Sequence, residues 1–461
     1  MPEREDLVAH VRERRVVVIG AGAAGLATAW ECARVGLTVT VVDAADSVGG
    51  SLAPRAVDGV EVDGAHTDLL PGDTDVDDLL RELGCADREP VADARVAVAG
   101  RGPAPAGGLL GIPSNPWAAD VRGVIGWSGT WRAYLDRVRP PMTIGREPRL
   151  GALVRRRLGE RVADRLVAPI AAALWETDLD DLDADAVLPG VSTALTRTGS
   201  LTGAVSQLQA EPAPPRRALR GGFGPLIAAL DGQLRDLGAE LILATEVTGI
   251  TRAGAGWRVA GDGIEWEADA VIVATDAADA RRLLLPVAAG LTEAFDRVDE
   301  VDVVTLVLEG VGEDAAGVVA FPVGSSVFSV TDVTARSPRG TLPERRVVRV
   351  VRVVLPASDR DDDALFVEAA AAAASVSGPA VPRVRGATRS RRVAAGMGRR
   401  VGDADRTAAA RAALAAHDGL YAVGGWLSGG DLRDEIGDAV RTAERVRHDL
   451  LWGAEPDIAS L

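Results

Sequence analysis

An α/β fold built on a parallel sheet is predicted by three observations. Residues 15–42 read as strand, glycine turn, helix and strand, which is one βαβ unit. A second group of short strands runs from Glu240 to Ala274 and ends on a continuous apolar segment. Near the carboxy terminus a further strand ends in glycines and leads into a helix. The sheet is therefore expected to be split in sequence, its strands coming from both ends and the middle of the chain.

The elements follow in order. Arg15 to Ile19 has the composition of a buried strand, Leu26 to Val35 reads as a helix, and Leu37 to Val42 as the second strand. Asp75 to Gly84 is a short amphipathic helix, and Gly100 to Pro116 is rich in Gly and Pro and reads as loop. Arg149 to Ala173 reads as one long helix, because Leu150, Leu153, Val154 and Leu158 fall at helical spacing with Arg between them. Gln209 to Arg217 contains three prolines and reads as a linker. Beyond it come a helix over Pro225 to Leu237 and strands over Glu240–Leu243, Val247–Thr251, Trp257–Val259 and Ala270–Ala274. Val301–Leu308 and Val347–Leu355 read as further strands, Ala364–Ser375 as an Ala-rich helix and Asp434–Leu451 as the last helix. There is no fixed-period repeat.

Composition narrows the function. At roughly 100–200 residues each, two or three domains are expected, and 47% hydrophobic residues provide their cores. A net charge of −16 argues against nucleic acid and against a strongly anionic membrane surface as partners. All 51 basic residues are Arg, so neither a Schiff-base lysine nor a P-loop lysine exists. Two cysteines, Cys32 and Cys85, and four histidines are too few and too scattered to predict a metal site. Reduced thiols are expected. The charged start is not a signal peptide, and no 18-residue apolar run follows, so a cytoplasmic protein with no integral membrane segment is expected.

Four motifs carry chemistry. Gly20-Ala21-Gly22-Ala23-Ala24-Gly25 follows the first strand and opens a helix. Gly20 permits the tight turn, Gly22 lets backbone approach a diphosphate, and Gly25 lets helix and sheet pack closely. The unpaired N–H groups of the helix start then face the phosphates. Asp43 ends the second strand, where a carboxylate accepts hydrogen bonds from an unphosphorylated ribose. Gly49-Gly50 follows six residues later, and with Ser51 it resembles the glycine-pair extension of FAD-binding oxidoreductases. Val271 to Thr275 resembles their second nucleotide-side strand, and Val247 begins a neighbouring one. Gly419 to Trp426, then Gly429-Gly430-Asp431-Leu432, resembles their carboxy-terminal segment, where Gly424 and a helix start face the flavin.

Taken together, the chain resembles the protoporphyrinogen/coproporphyrinogen oxidase family of amine-oxidase-type flavoproteins, in its high-GC Gram-positive form. GAGAAGLATAWECARVGLTVTVVDAADSVGG, GGLLGIPSNPWAADVRGVIGWSGTWRAYLDRV, IGREPRLGALVRRRLGERVADRLVAPIAAALW, LTRTGSLTGAVSQL, RGGFGPLIAAL and GLYAVGGWLSG carry the resemblance over nearly the whole length. It implies a Rossmann-like FAD-binding domain split over 1–59, 216–284 and 411–461. An inserted mixed-sheet substrate domain and a helical domain would come from 60–215 and 285–410. It implies that FAD accepts hydrides from a porphyrinogen, coproporphyrinogen III in the Gram-positive branch. Dioxygen would reoxidise the flavin to give peroxide, and a downstream ferrochelatase is an implied partner. No side-chain nucleophile is required, so no catalytic residue is assigned.

A macrocycle bearing propionates calls for an apolar slot rimmed by Arg. Arg95 matches a position near the family's pocket, and Arg132, Arg137 and Arg139 lie in the inserted region, with solvated surface as the alternative for each. His66 is a candidate to tune a proton step and His417 a weaker one, against plain packing. Several residues depart from the family pattern. Asp43 replaces the usual Glu, Ser51-Leu52-Ala53 lacks a basic residue, Asp431 stands where a small residue is usual, and aromatics are only 3%. Three readings therefore stay open: a porphyrinogen oxidase, another amine-oxidase-type flavoprotein such as a desaturase or amine oxidase, and a flavin-binding paralogue without catalysis.

Overall fold

The computed structural model describes residues 12–66, 73–90, 95–138, 147–210, 217–309, 317–322, 324–334, 348–376 and 383–453. The amino-terminal elements are β1 (Arg15–Ile19), α1 (Ala23–Ala33), β2 (Thr38–Val42), β3 (Arg95–Val98), α2 (Ala119–Tyr134), α3 (Leu150–Leu158) and α4 (Ala168–Trp175). The middle supplies β4 (Glu240–Ile242), β5 (Ala270–Val273), α5 (Ala277–Leu284), β6 (Glu300–Glu309), β7 (Gly317–Ala320) and β8 (Ser329–Asp332). The remainder supplies β9 (Val348–Pro356), β10 (Arg383–Val393), β11 (Leu420–Ala422) and α6 (Leu432–Trp452).

The first sheet has the order β4-β2-β1-β5-β11, and every pair in it is parallel. Its strands come from the beginning, middle and end of the chain, as the sequence predicts. β2 and β5 flank β1 on opposite sides, so the loops leaving β1 and its neighbours diverge and leave a crevice at their carboxyl ends. All residues of α1 are buried, which explains its Ala-rich, nearly featureless sequence: it packs against the sheet, α6 and the helix Gly224–Asp236. The single buried carboxylate of α1, Glu31, is neutralised by Arg34 and Arg447.

The second sheet has seven strands, in the order β10-β6-β9-β8-β7-β3 with Gly102–Pro103 at its edge. β6 reads as a largely apolar run, broken by Asp302 and Thr305, because both faces are covered. Val304, Leu306 and Leu308 meet helix Asp362–Val376, and Val301 and Val303 face Ala65 and Ala394. A third, helical layer built on α2, α3 and α4 has its own core around Ile125, Leu153 and Leu166.

One predicted element breaks. The helix expected over Arg149 to Ala173 stops at Gly159, whose φ of 95° and ψ of 166° are not helical. Residues Ala163–Val167 then form a wider π-type turn before α4. The apolar spacing runs on across the break, which is why the sequence reads as one helix. The expected linker lies for the most part outside the described residues: Gln209 ends a helix and Arg217 starts a short strand.

Candidate functional site

The glycines divide their labour as the spacing predicts. Gly20 has φ +109°, and a Cβ there would lie 2.5 Å from the Ala274 carbonyl oxygen. A Cβ on Gly25 would lie 1.9 Å from the Gly20 oxygen, so α1 approaches the sheet only because that atom is missing. A Cβ on Gly22 would meet nothing within 4 Å. Its bareness is not needed for protein packing, and it leaves backbone open toward the crevice.

The crevice is a cleft of about 310 Å³. Gly20, Gly22, Ala23, Asp43, Gly50, Ser51, Val247, Thr275, Gly424 and Gly430 all line it. Ala24, Gly25 and Gly49 stand behind it: Ala24 and Gly25 are buried in α1, and Gly49 donates its N–H to the Ala21 carbonyl at 2.8 Å. Asp43 accepts a hydrogen bond from the Ala21 N–H and one of 2.7 Å from the Ala45 N–H. Its carboxylate thus pins the glycine turn to the tip of β2 and stands at the cleft wall.

The chain closes the cleft with α6. Its N-cap is Asp431, whose carboxylate accepts the Arg433 N–H at 2.9 Å, which accounts for an acid where a small residue was expected. Asp431 and Leu432 face a second cavity and not the cleft, whereas Gly429 packs on the Met397 carbonyl. Burial raises the Asp431 carboxyl above its usual range, with Asp434 adding to the effect.

The second, inner cavity measures about 370 Å³ and shares His66, Arg392 and Gly430 with the cleft. Sheet residues such as Val303, Ser329, Thr331 and Val354 form one wall, and residues of α4 form another. Four arginines line it: Arg352, Arg392, Arg399 and Arg433. Arg392 is held by Glu176, with Nη1 donating at 2.7 Å, and Glu176 also accepts the Ala395 N–H at 2.9 Å. Arg399 pairs with Asp434 at 3.2 Å, and Arg352 donates to the Asp63 carbonyl at 2.8 Å. His66 is held neutral: burial lowers its pKa well below the ordinary value, and Arg392 and Arg352 lower it further. Glu176 separates this cavity from a wider one of about 960 Å³, where six carboxylates stand against Arg155 and Arg281.

Of the arginines singled out in the sequence, the described Arg132 and Arg137 line neither the cleft nor the inner cavity. Arg132 is a correction: its guanidinium donates to the carbonyls of Arg155, Arg156 and Arg157 and satisfies the carboxyl end of α3. Arg137 lies over the Tyr134 ring at 5.8 Å. Arg139 lies outside the described residues. Arg95 starts β3, paired with Gly317, and its side chain is outside the described residues. His417 lines a small separate pocket beside Tyr421, whose hydroxyl donates to Asp449 at 2.6 Å. Arg352 carried a usable signal, because a charged residue inside a Val-rich strand must find a partner or a ligand, whereas Arg392 sits in an Arg-rich strand that singles out none of its members.

The cleft residues fit FAD. The bare Gly22 backbone leaves room for a diphosphate, and Asp43 stands where a ribose carboxylate belongs. Two buried donors at its inner end, Trp426 Nε1 and Arg392 Nε, have no acceptor among the described residues.

Comparison with known proteins agrees with this geometry. The pattern of flavin-containing amine oxidoreductases matches residues 23–314. A coproporphyrinogen III oxidase of Propionibacterium freudenreichii is 29% identical, over 94% of this chain and 90% of its own length. One of Mycobacterium leprae is 31% identical, over 72% and 74%. A solved structure assigned as a protoporphyrinogen oxidase of Exiguobacterium superposes with TM-score 0.80 at 21% identity, covering 95% of this chain and 99% of the other.

Proposed function

This chain belongs to the flavin-containing amine oxidoreductase family, and from that premise we propose that it oxidises a porphyrinogen, coproporphyrinogen III first, to the porphyrin. FAD is its cofactor, and dioxygen is the proposed final acceptor, giving peroxide. Each round removes two electrons and two protons, and three rounds complete the macrocycle. We place this step in cytoplasmic haem synthesis, with a ferrochelatase consuming the metallation-ready product. No helix among the described residues is long and apolar enough to cross a membrane.

The observation that carries the proposal is the sign of the inner cavity. In a chain of net charge −16, the cavity adjoining the FAD cleft sets four guanidiniums against two carboxylates. A ligand bearing several carboxylates is the chemistry such a lining selects. Bound FAD supplies the hydride-accepting chemistry. The chain's own residues do the rest. The glycine turn and Asp43 hold the cofactor, and the amino end of α6 favours negative charge at the cavity junction. Val303 and Val354 exclude water from the macrocycle face, and His66 offers a neutral imidazole to both spaces.

Anaerobic mixing of the flavin-loaded protein with coproporphyrinogen III tests the proposal. Bleaching of the flavin band together with rising porphyrin fluorescence is expected. Bleaching by amines and not by the porphyrinogen would overturn it. It would favour amine oxidation, a reading supported by the wider acidic cavity, which meets the cleft at Glu300.

A further inference from the structure

Glu435 lies in the first turn of α6 and lines the FAD cleft, opposite Gly425, where its Oε2 would sit 3.7 Å from an added Cβ. No donor reaches its carboxyl among the described residues. The rest of the cleft gives it no relief. Asp43, Glu246, Asp276, Asp279 and Glu300 line the same space. Its three guanidiniums already have carboxylate partners: Arg282 pairs with Asp279 and Glu246, Arg391 with Asp302, and Arg392 with Glu176. On its own helix, Asp431 and Asp434 pair with Arg399, and Asp438 with Arg411. His66, the one imidazole at the cleft, is held neutral.

We propose that FAD binding takes up a proton at Glu435, so that the neutral carboxyl donates to the anionic cofactor and affinity falls as the pH rises. The reason is electrostatic. A diphosphate brings negative charge into a cleft whose acids outnumber its free bases, and an ionised Glu435 lining the same cleft would oppose it. Burial raises the free carboxyl to about 7, with Asp438 adding to the effect, against the opposing pull of the α6 amino end. The titration therefore falls in the physiological range. The sign follows from linkage. The bound state holds the proton more tightly, so affinity is full below the free value and is lost above it, by at most about tenfold per pH unit for one proton.

The test uses the full-length protein stripped of flavin and FAD itself as the probe, and is independent of which substrate is oxidised. Quenching of flavin fluorescence should give a Kd that is flat from pH 5.5 to 6.5 and rises several-fold to tenfold per unit above pH 7. Glu435→Gln, which keeps a neutral donor, should bind FAD at pH 8.5 as tightly as the wild type binds it at pH 6, with no slope. An undiminished slope in Glu435→Gln would overturn the proposal. Calorimetry of the wild type needs no variant. At pH 7.5, heats in phosphate and Tris should differ by the ionisation heat of the proton taken up, and equal heats would also overturn it.

Discussion

At Gly22 and Gly25 the same methyl group has opposite consequences. In Gly22→Ala the new Cβ enters open space, so folding should be unaffected within about 0.5 kcal/mol, and the loss should appear in flavin affinity, tenfold or more. In Gly25→Ala it lands on the Gly20 oxygen, so the helix must move off the sheet, at a cost of about 2 kcal/mol or more. Melting temperatures with and without FAD separate the two. This contrast was legible in the sequence, because each glycine serves its nearest neighbours in the chain. The convergence of the inner-cavity arginines on one space was not legible. Arg352 and Arg392 meet only when β9 and β10 join one sheet, and Arg132, whose sequence setting looked like a rim, is spent on the carbonyls of α3. Local spacing cannot report which distant carbonyl or carboxylate a long side chain will reach.

Elements report their interiors well and their ends poorly. The apolar stripe that suggested one helix from Arg149 passes over Gly159 without a sign, since a break leaves the period intact if the next segment packs on the same core. Asp431 shows the converse: an acid that departs from the family pattern is the cap of α6. Asp431→Ala should cost about 1 kcal/mol of stability in urea melts. On β6, Asp302 is fully buried, which by itself would raise its carboxyl. Arg389, Arg391 and the Ser358 N–H outweigh burial and hold it below its ordinary range. Its stabilising effect is therefore present above the unfolded-state value and lost as the pH falls through the lower folded one. Asp302→Asn should be less stable by about 2–3 kcal/mol, discounted for the part-exposed Arg391. That gap should stay constant from pH 7 to pH 5 and close only below about pH 4. A gap that shrinks already near pH 6 would mean that Asp302 is not the titrating group.

Across the whole molecule, charge is arranged against the mean. The chain carries −16, and the wide cavity beyond Glu176 is acidic, yet the space beside the cofactor cleft is lined by four arginines. That contrast was half legible: the need for local Arg followed from the net charge, whereas its place required β9, β10 with the loop after it, and the start of α6 to converge on one cavity. It also fixes the response to salt. A ligand with several carboxylates is repelled on approach by the long-range field and attracted only inside the cavity. Salt screens exposed charges beyond about 8 Å at physiological ionic strength, and buried ones much less. Raising the salt from low ionic strength should therefore speed capture more than it weakens retention, and kcat/KM for coproporphyrinogen should rise. In Arg399→Ala the inner attraction is reduced and the outer repulsion grows only slightly, so kcat/KM should be lower at every salt concentration with the upward slope kept. A kcat/KM that falls with salt in the wild type would mean that local attraction governs the approach, and that carboxylates enter along a basic path rather than through the acidic surroundings of Glu176.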